Sequence, residues 1–393
     1  MVQGIQLGTS YQSNSRVVAR GQTNKGLAFL SDQILFFTTL IVVAFGLVMI
    51  YSTTAVVAEE KFGDALFFVK RQGLAAAIGI VFMIGAANLN LNKLKQYTHI
   101  LFPISLFLLL LIFIPGFGLK GGGALRWIGF GPLRFQPVEI VKVLMIFFTA
   151  GYVSRYEKQM PTFKYGIAMP LVILSLIGFP LLLQPDFGSA VVISLLVMIV
   201  MFAAGSSLKF IALGSVFLGG LASVLVLISP YRLKRILAFL DPFIDSSGQG
   251  YQLIQSLIAI GNGGLSGVGI GESQQKLFFL PAAHNDFIFA VIGEELGFIG
   301  CATLLLLFLV ILWRGIRTAV NFSNDSYYFG LSLGLTLLIV IPAILNMGVA
   351  LGLLPTKGLV LPLVSYGGSS LIASLVAIGL LLAVCRVAGR RKI

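Results

Sequence analysis

Ten apolar runs decide what this chain can fold into. They lie at about 33–57, 73–89, 98–117, 137–154, 166–184, 187–206, 208–229, 286–313, 327–352 and 359–385. A helix needs about 20 consecutive apolar residues to cross bilayer hydrocarbon, and these runs meet or approach that length. Backbone polar groups cannot stay unpaired in lipid, so each run must be helical. Composition agrees: 58% of residues are hydrophobic and 10% charged, where a soluble domain carries roughly 25% charged residues. The expected fold is an all-α polytopic membrane protein with about ten transmembrane helices. A tail over 1–32, one membrane domain over 33–385 and a second tail over 386–393 complete it.

The net charge of +13 does not signal nucleic acid, because the basic residues are scattered between apolar runs rather than gathered in a patch. They read instead as topology determinants. With the N-terminus inside, fifteen Lys and Arg fall on cytoplasmic segments and eleven outside, while Lys142 lies within a span. The cluster Arg386, Arg390, Arg391 and Lys392 and the basic N-terminal tail favour N-in, C-in. The first thirty residues lack the apolar core of a cleavable signal, so the first span is expected to act as an uncleaved anchor. Cys301 and Cys385 sit in apolar runs and read as packing residues, and two histidines exclude a His-rich metal site.

This orientation puts two long loops outside, at about 118–136 and 230–285, the second between helices 7 and 8. Structured loops of that length are usually functional. The second carries Gly267, Gly269 and Gly271 without the βαβ context of a nucleotide site, so these glycines are expected to serve tight turns or a loop that re-enters the bundle. It ends at His284-Asn285-Asp286, where the eighth span begins. Asp286 reads either as a helix N-cap or as a carboxylate at the water–bilayer boundary, available as a general base. His284 beside it is a candidate to orient that carboxylate, or an ordinary structural histidine.

Ionisable groups inside spans default to pairing or function. Glu139 and Lys142 are three apart on the fourth span, where they share a helical face. They can neutralise each other or place a cation near an anionic headgroup. Glu294 and Glu295 do not share a face with Asp286 and read as polar-network residues. Arg126, Arg134, Lys276 and Lys357 suit a diphosphate, although Arg126-Trp127 serves equally as an interfacial anchor. Ser365-Tyr366-Gly367-Gly368-Ser369-Ser370, after Pro355 and Pro362, suggests close helix approach or a broken helix lining a cavity.

In order and spacing these motifs resemble the SEDS family (shape, elongation, division and sporulation). The resemblance runs from Tyr51-Ser52 and Lys70-Arg71-Gln72 through Arg126-Trp127 and Gln184-Pro185-Asp186-Phe187-Gly188-Ser189. It continues through Asp286-Phe287-Ile288-Phe289 and Gly293-Glu294-Glu295-Leu296-Gly297 to Ser365–Ser370. Pro355-Thr356-Lys357-Gly358 and Gly293 look like the FtsW and SpoVE branch more than RodA. The chain departs from the family pattern at Ala282, Val138 and Leu125, where Glu, Ser and Arg are usual.

The resemblance implies a peptidoglycan glycosyltransferase that polymerises lipid II on the outer face of the bacterial cytoplasmic membrane, at the division septum. A class B penicillin-binding protein and other divisome membrane proteins would be its partners. It further implies that Asp286 is the essential carboxylate and that Glu139 and Lys142 match the family's fourth-span pair. Asp286 would take the proton of the attacking hydroxyl. Arg126, Lys142 or Lys276, with Lys357, His284 and Ser365 nearby and a divalent cation (Mg or Mn) as an option, would hold the substrate's diphosphate. A lipid II flippase and a non-catalytic divisome scaffold are the competing expectations.

Overall fold

The computed structural model describes residues 31–121, 124–130, 133–243, 248, 250–276, 280, 283–356 and 358–391. Among these residues eight helices are long and apolar enough to cross a membrane. They are α1 (Gln33–Phe62), α2 (Phe67–Ala87), α5 (Pro137–Tyr156), α6 (Met169–Leu183, continuous with a π-helical turn over Lys164–Ala168), α8 (Leu208–Leu227), α11 (Ile288–Val320), α12 (Ser326–Ala350) and α13 (Gly368–Arg391). Two shorter apolar helices, α4 (Thr98–Leu110) and α7 (Phe187–Ala203), fill the remaining expected positions. The ten segments match the ten apolar runs. Three further helices, α3 (Leu91–Gln96), α9 (Pro230–Leu240) and α10 (Tyr251–Gly263), lie in connections.

Helix ends follow local chemistry. Asp32 caps α1 by accepting the Leu35 N–H, and Gly63 ends it in the left-handed conformation at φ 66°. Asp186 caps α7, accepting from both the backbone N–H and the hydroxyl of Ser189. That cap separates α6 from α7 across only Gln184–Asp186.

The helical membrane fold is as expected, with one small addition and two bounds to correct. In the first outer loop β1 (Gly118–Gly121), β2 (Ala124–Phe130) and β3 (Leu133–Phe135) form an antiparallel sheet in the order β1-β2-β3, in a stretch too brief for an alternation signal to stand out. The last span starts at Gly368 rather than 359, because Pro355 and Pro362 keep the preceding segment out of helix. It then runs to Arg391, into what was expected to be a tail from 386. The tail over 1–32 lies almost wholly outside the described residues.

The eighth span is broken. Gly297 has φ 64° and ψ −161°, which divides α11 into two helical pieces. The groups this break frees are taken up by the preceding loop. Phe298 and Ile299 donate to the carbonyls of Gly264 and Leu265, while Val268 and Gly269 donate to those of Glu294 and Glu295. Irregular backbone survives at such depth only when protein satisfies it. Contact is so close that a Cβ on Gly267 would stand 2.1 Å from the Glu295 carbonyl oxygen. The glycine-rich stretch therefore does fold back onto the bundle, as its composition suggested.

Candidate active site

Five connections meet at one end of the bundle. Asp286 lies just before α11, whose N-cap is Phe287, so the cap reading of Asp286 does not hold. Its backbone is pinned by two other elements. Asn346 of α12 donates its amide to the Asp286 carbonyl at 2.8 Å and to that of Leu359 at 2.5 Å. The Ser365 hydroxyl donates to the Asn285 carbonyl at 2.6 Å and accepts the Leu361 N–H at 2.8 Å. Tyr366 N–H donates to the His284 carbonyl at 3.0 Å. Gln72 of α2, buried, closes the arrangement by donating to the Ser365 carbonyl and accepting the Gly367 N–H, each at 3.1 Å.

Three consecutive carbonyls, at 284, 285 and 286, are thus held by hydrogen bonds. Among the described residues nothing donates to the Asp286 carboxylate itself, and the side chain is half-buried. Burial raises its pKa above the ordinary carboxylate range, while the charges of Arg235 and Arg126 pull the other way. A carboxylate held in place, partly desolvated and with both oxygens available is suited to proton abstraction.

Beside it opens a cavity of about 700 Å³, counting its mouth. Arg126, Gln136, Glu139, Lys142, Asp186 and Ser189 line it, together with Gly358. Gly358 ties this cavity to Asp286, since a Cβ built there would stand 3.2 Å from Asp286 Oδ2. Arg126 reaches it from β2 and donates to the carbonyls of Gln184 (3.2 Å) and Pro185. Lys142 pairs with Glu139 at 2.8 Å, as their spacing suggested. The cavity therefore offers a guanidinium and an ammonium, the latter paired with Glu139, beside the Asp186 carboxylate in a place only partly open to water; the guanidinium is the group best suited to a diphosphate there.

The other candidates are placed differently. Lys276 is not at the cavity: its ammonium is buried against Glu295 (2.8 Å), the Ser52 hydroxyl (3.2 Å) and the Gly271 carbonyl (2.6 Å). Its charge is spent on the helix break, which removes it from the diphosphate set. Glu294 accepts from the Ser273 hydroxyl and the N–H groups of Gln274 and Gln275. Both glutamates are thus the polar-network residues expected. The His284 ring packs against Phe68 (5.4 Å) and Tyr366 (5.8 Å), and burial followed by the nearby Lys61 charge lowers its pKa. His284 and Ser365 shape the site's backbone rather than lining the cavity. Lys357 lies outside the described residues.

Asn346, Gln72, Asp186 and Ser189 were not singled out as site residues. A lone Asn inside an apolar run was the available signal for the first, and the Asp-x-x-Ser cap pattern for the last pair. Among the described residues there is no group of three or more His, Cys, Asp or Glu side chains able to hold a metal ion. The two carboxylates at the cavity, Glu139 and Asp186, are engaged by Lys142 and Ser189 and do not make a ready donor set for a metal ion.

Residues 32–389 match the family model described as cell cycle protein, FtsW/RodA/SpoVE. Stage V sporulation protein E of Bacillus subtilis (strain 168) is 43% identical over 356 residues, covering 90% of this chain and 97% of that protein. A probable peptidoglycan glycosyltransferase FtsW of Geobacter sp. (strain M18) is also 43% identical, over 89% of this chain and 95% of its own. Among solved structures, a chain of a peptidoglycan synthase complex that coordinates polymerization and crosslinking superposes with a TM-score of 0.74 at 33% identity, covering 91% of this chain and 98% of that one. The rod shape determining protein RodA of Thermus thermophilus superposes with a TM-score of 0.64 at 28% identity, covering 90% and 95%.

Proposed function

The chain belongs to the FtsW/RodA/SpoVE family of cell cycle proteins, and from that premise we infer that it is a peptidoglycan glycosyltransferase that polymerises lipid II. The observation that carries the chemistry is the pinned backbone at 284–286 beneath a carboxylate to which no group among the described residues donates a hydrogen bond.

In this reading the 4-hydroxyl of one substrate's N-acetylglucosamine attacks the anomeric carbon of the other substrate's N-acetylmuramic acid, with inversion. The bond from that carbon to the diphosphate oxygen breaks, and the electron pair leaves with undecaprenyl diphosphate. Asp286 accepts the hydroxyl proton, and its raised pKa makes it a better base than an ordinary carboxylate. Arg126 and Lys142 stabilise charge on the departing diphosphate within the cavity. Cleavage of the diphosphate ester supplies the driving force, so no nucleotide is required.

The Lys and Arg distribution supports the loop-rich end facing outward, with both termini inside. A class B penicillin-binding protein fits as partner, given the synthase complex whose chain this one resembles. Other divisome membrane proteins as partners and a septal position in the inner membrane belong to the same proposal, supported by the likeness to relatives named FtsW.

The test is polymerisation of lipid II by the purified protein with its synthase partner in detergent, where no compartments exist. Glycan polymer is expected. Absence of polymer, with translocation of lipid II in vesicles, would establish the flippase reading instead.

A further inference from the structure

The reaction proposed above joins two lipid-linked sugars, and both carry a diphosphate until one leaves. The cavity with Arg126 and Lys142 can serve one of them. A second set of cations approaches the same carboxylate from α9, which has the sequence Pro-Tyr-Arg-Leu-Lys-Arg-Ile-Leu-Ala-Phe-Leu.

Arg232 and Arg235 are three apart, so they stand on one face of α9, about 60° apart around the helix. Ala238, three residues further along that face, is buried, whereas Lys234 and Leu237 on other faces are exposed. The arginine face is therefore turned inward. Its direction is fixed at one end by Arg232, which donates to the Leu225 carbonyl at 3.2 Å and lies 5.3 Å from the centre of the Phe187 ring. Phe187 follows Asp186, a cavity residue. Arg235 acts electrostatically on Asp286, as Arg126 does from β2. An interfacial helix that merely binds anionic lipid turns its basic face to the headgroups. Here the two half-buried arginines face the site.

We propose that Arg232 and Arg235 form a second diphosphate-binding site that holds the acceptor's lipid-linked diphosphate while Arg126 and Lys142 hold that of the donor. This inference rests on the glycosyltransferase reading. Two cation pairs serving one carboxylate would let both substrates bind at once with their diphosphates apart, which a single site cannot do because two such anions repel.

The test separates donor from acceptor in the full chain with its synthase partner. The donor is lipid II methylated at the 4-hydroxyl of its N-acetylglucosamine, which cannot accept. The acceptors cannot donate: one is a non-cleavable lipid II C-glycoside that keeps the diphosphate charge, the other the same disaccharide-peptide as a methyl glycoside without it. Wild type is expected to prefer the first. In Arg232→Gln/Arg235→Gln that preference should fall by about tenfold or more, the worth of charge-assisted hydrogen bonds. Measured at a pH above the acid limb, where Asp286 is fully ionised with or without Arg235, the rate on the methyl glycoside should hold, which also shows that the variant is folded. Arg232→Lys/Arg235→Lys should keep most of the preference, and Lys234→Gln should leave it intact. An unchanged preference, or an equal fall on both acceptors, overturns the proposal. So does a defect seen only when phosphatidylglycerol is present, which would make anionic phospholipid the ligand. If wild type joins neither acceptor, the glycosyltransferase reading fails first and this site falls with it.

Discussion

Lys276 Nζ lies 2.8 Å from Glu295 Oε1, across the break in the eighth span, with side-chain exposures of 6% and 0%. Ser52 of α1 donates to both Glu295 oxygens at 2.6 and 2.7 Å. One cluster therefore ties the first span, the returning loop and the broken helix together, from both sides of Asp286 in the sequence.

Removing one member of this pair should leave an uncompensated buried charge. Lys276→Met or Glu295→Leu alone is expected to destabilise the protein by about 3–5 kcal/mol, and the double substitution by clearly less than the sum. Thermal unfolding in detergent over the double-mutant cycle reads this directly. Additive losses would show that the two residues act independently.

Gly267→Ala is expected to disrupt the same region. Its φ of +80° already disfavours a side chain, and the added methyl would meet the Glu295 carbonyl at 2.1 Å. A lowered melting temperature together with faster proteolysis within residues 264–276 is the expected outcome. Gly271→Ala, with nothing within 4 Å, should cost only the backbone strain of φ +91°.

Asn346→Leu would strand the carbonyls of Asp286 and Leu359. Two buried acceptors lose their donor, each at a cost of about 1–3 kcal/mol. Because Asn346 holds the backbone of Asp286, the proposed base, and does not line the cavity, kcat should fall while KM changes little. A rise in KM with unchanged kcat would contradict this positioning role.

The raised pKa of Asp286 gives two signed expectations. As the base it must be ionised, so activity should fall as pH drops through its folded-state value. Arg235→Gln or Arg126→Gln removes a charge that lowers that value and should move the acid limb to higher pH. For stability the sign is opposite to that of a salt-bridged carboxylate. A folded-state pKa above the unfolded one means that the native state loses stability as pH rises between the two values. Asp286→Asn should therefore melt higher than wild type at neutral pH, with the gap closing below the unfolded pKa.

How much of this could be read from the sequence differed by kind of signal. The spans were legible because lipid demands long apolar helices, and Glu139 with Lys142 because three-residue spacing sets them on one face. Lys276 was misplaced because its partner is 19 residues away and meets it only where Gly297 breaks the helix. Asn346 was missed because its role is to hold another segment's backbone, a contact between distant parts of the chain. The small sheet escaped for a related reason: three strands of three to seven residues pair through backbone groups, which leave little trace in side-chain pattern.

The central claim is that the Asp286 carboxylate removes the proton from the attacking hydroxyl. The most direct measurement is the initial rate of lipid II polymerisation by Asp286→Asn against wild type, each with its synthase partner and at saturating substrate. A fall of about 10²–10⁴ is expected, with lipid II binding retained, since only proton transfer is lost. Polymerisation at the full wild-type rate would contradict the assignment.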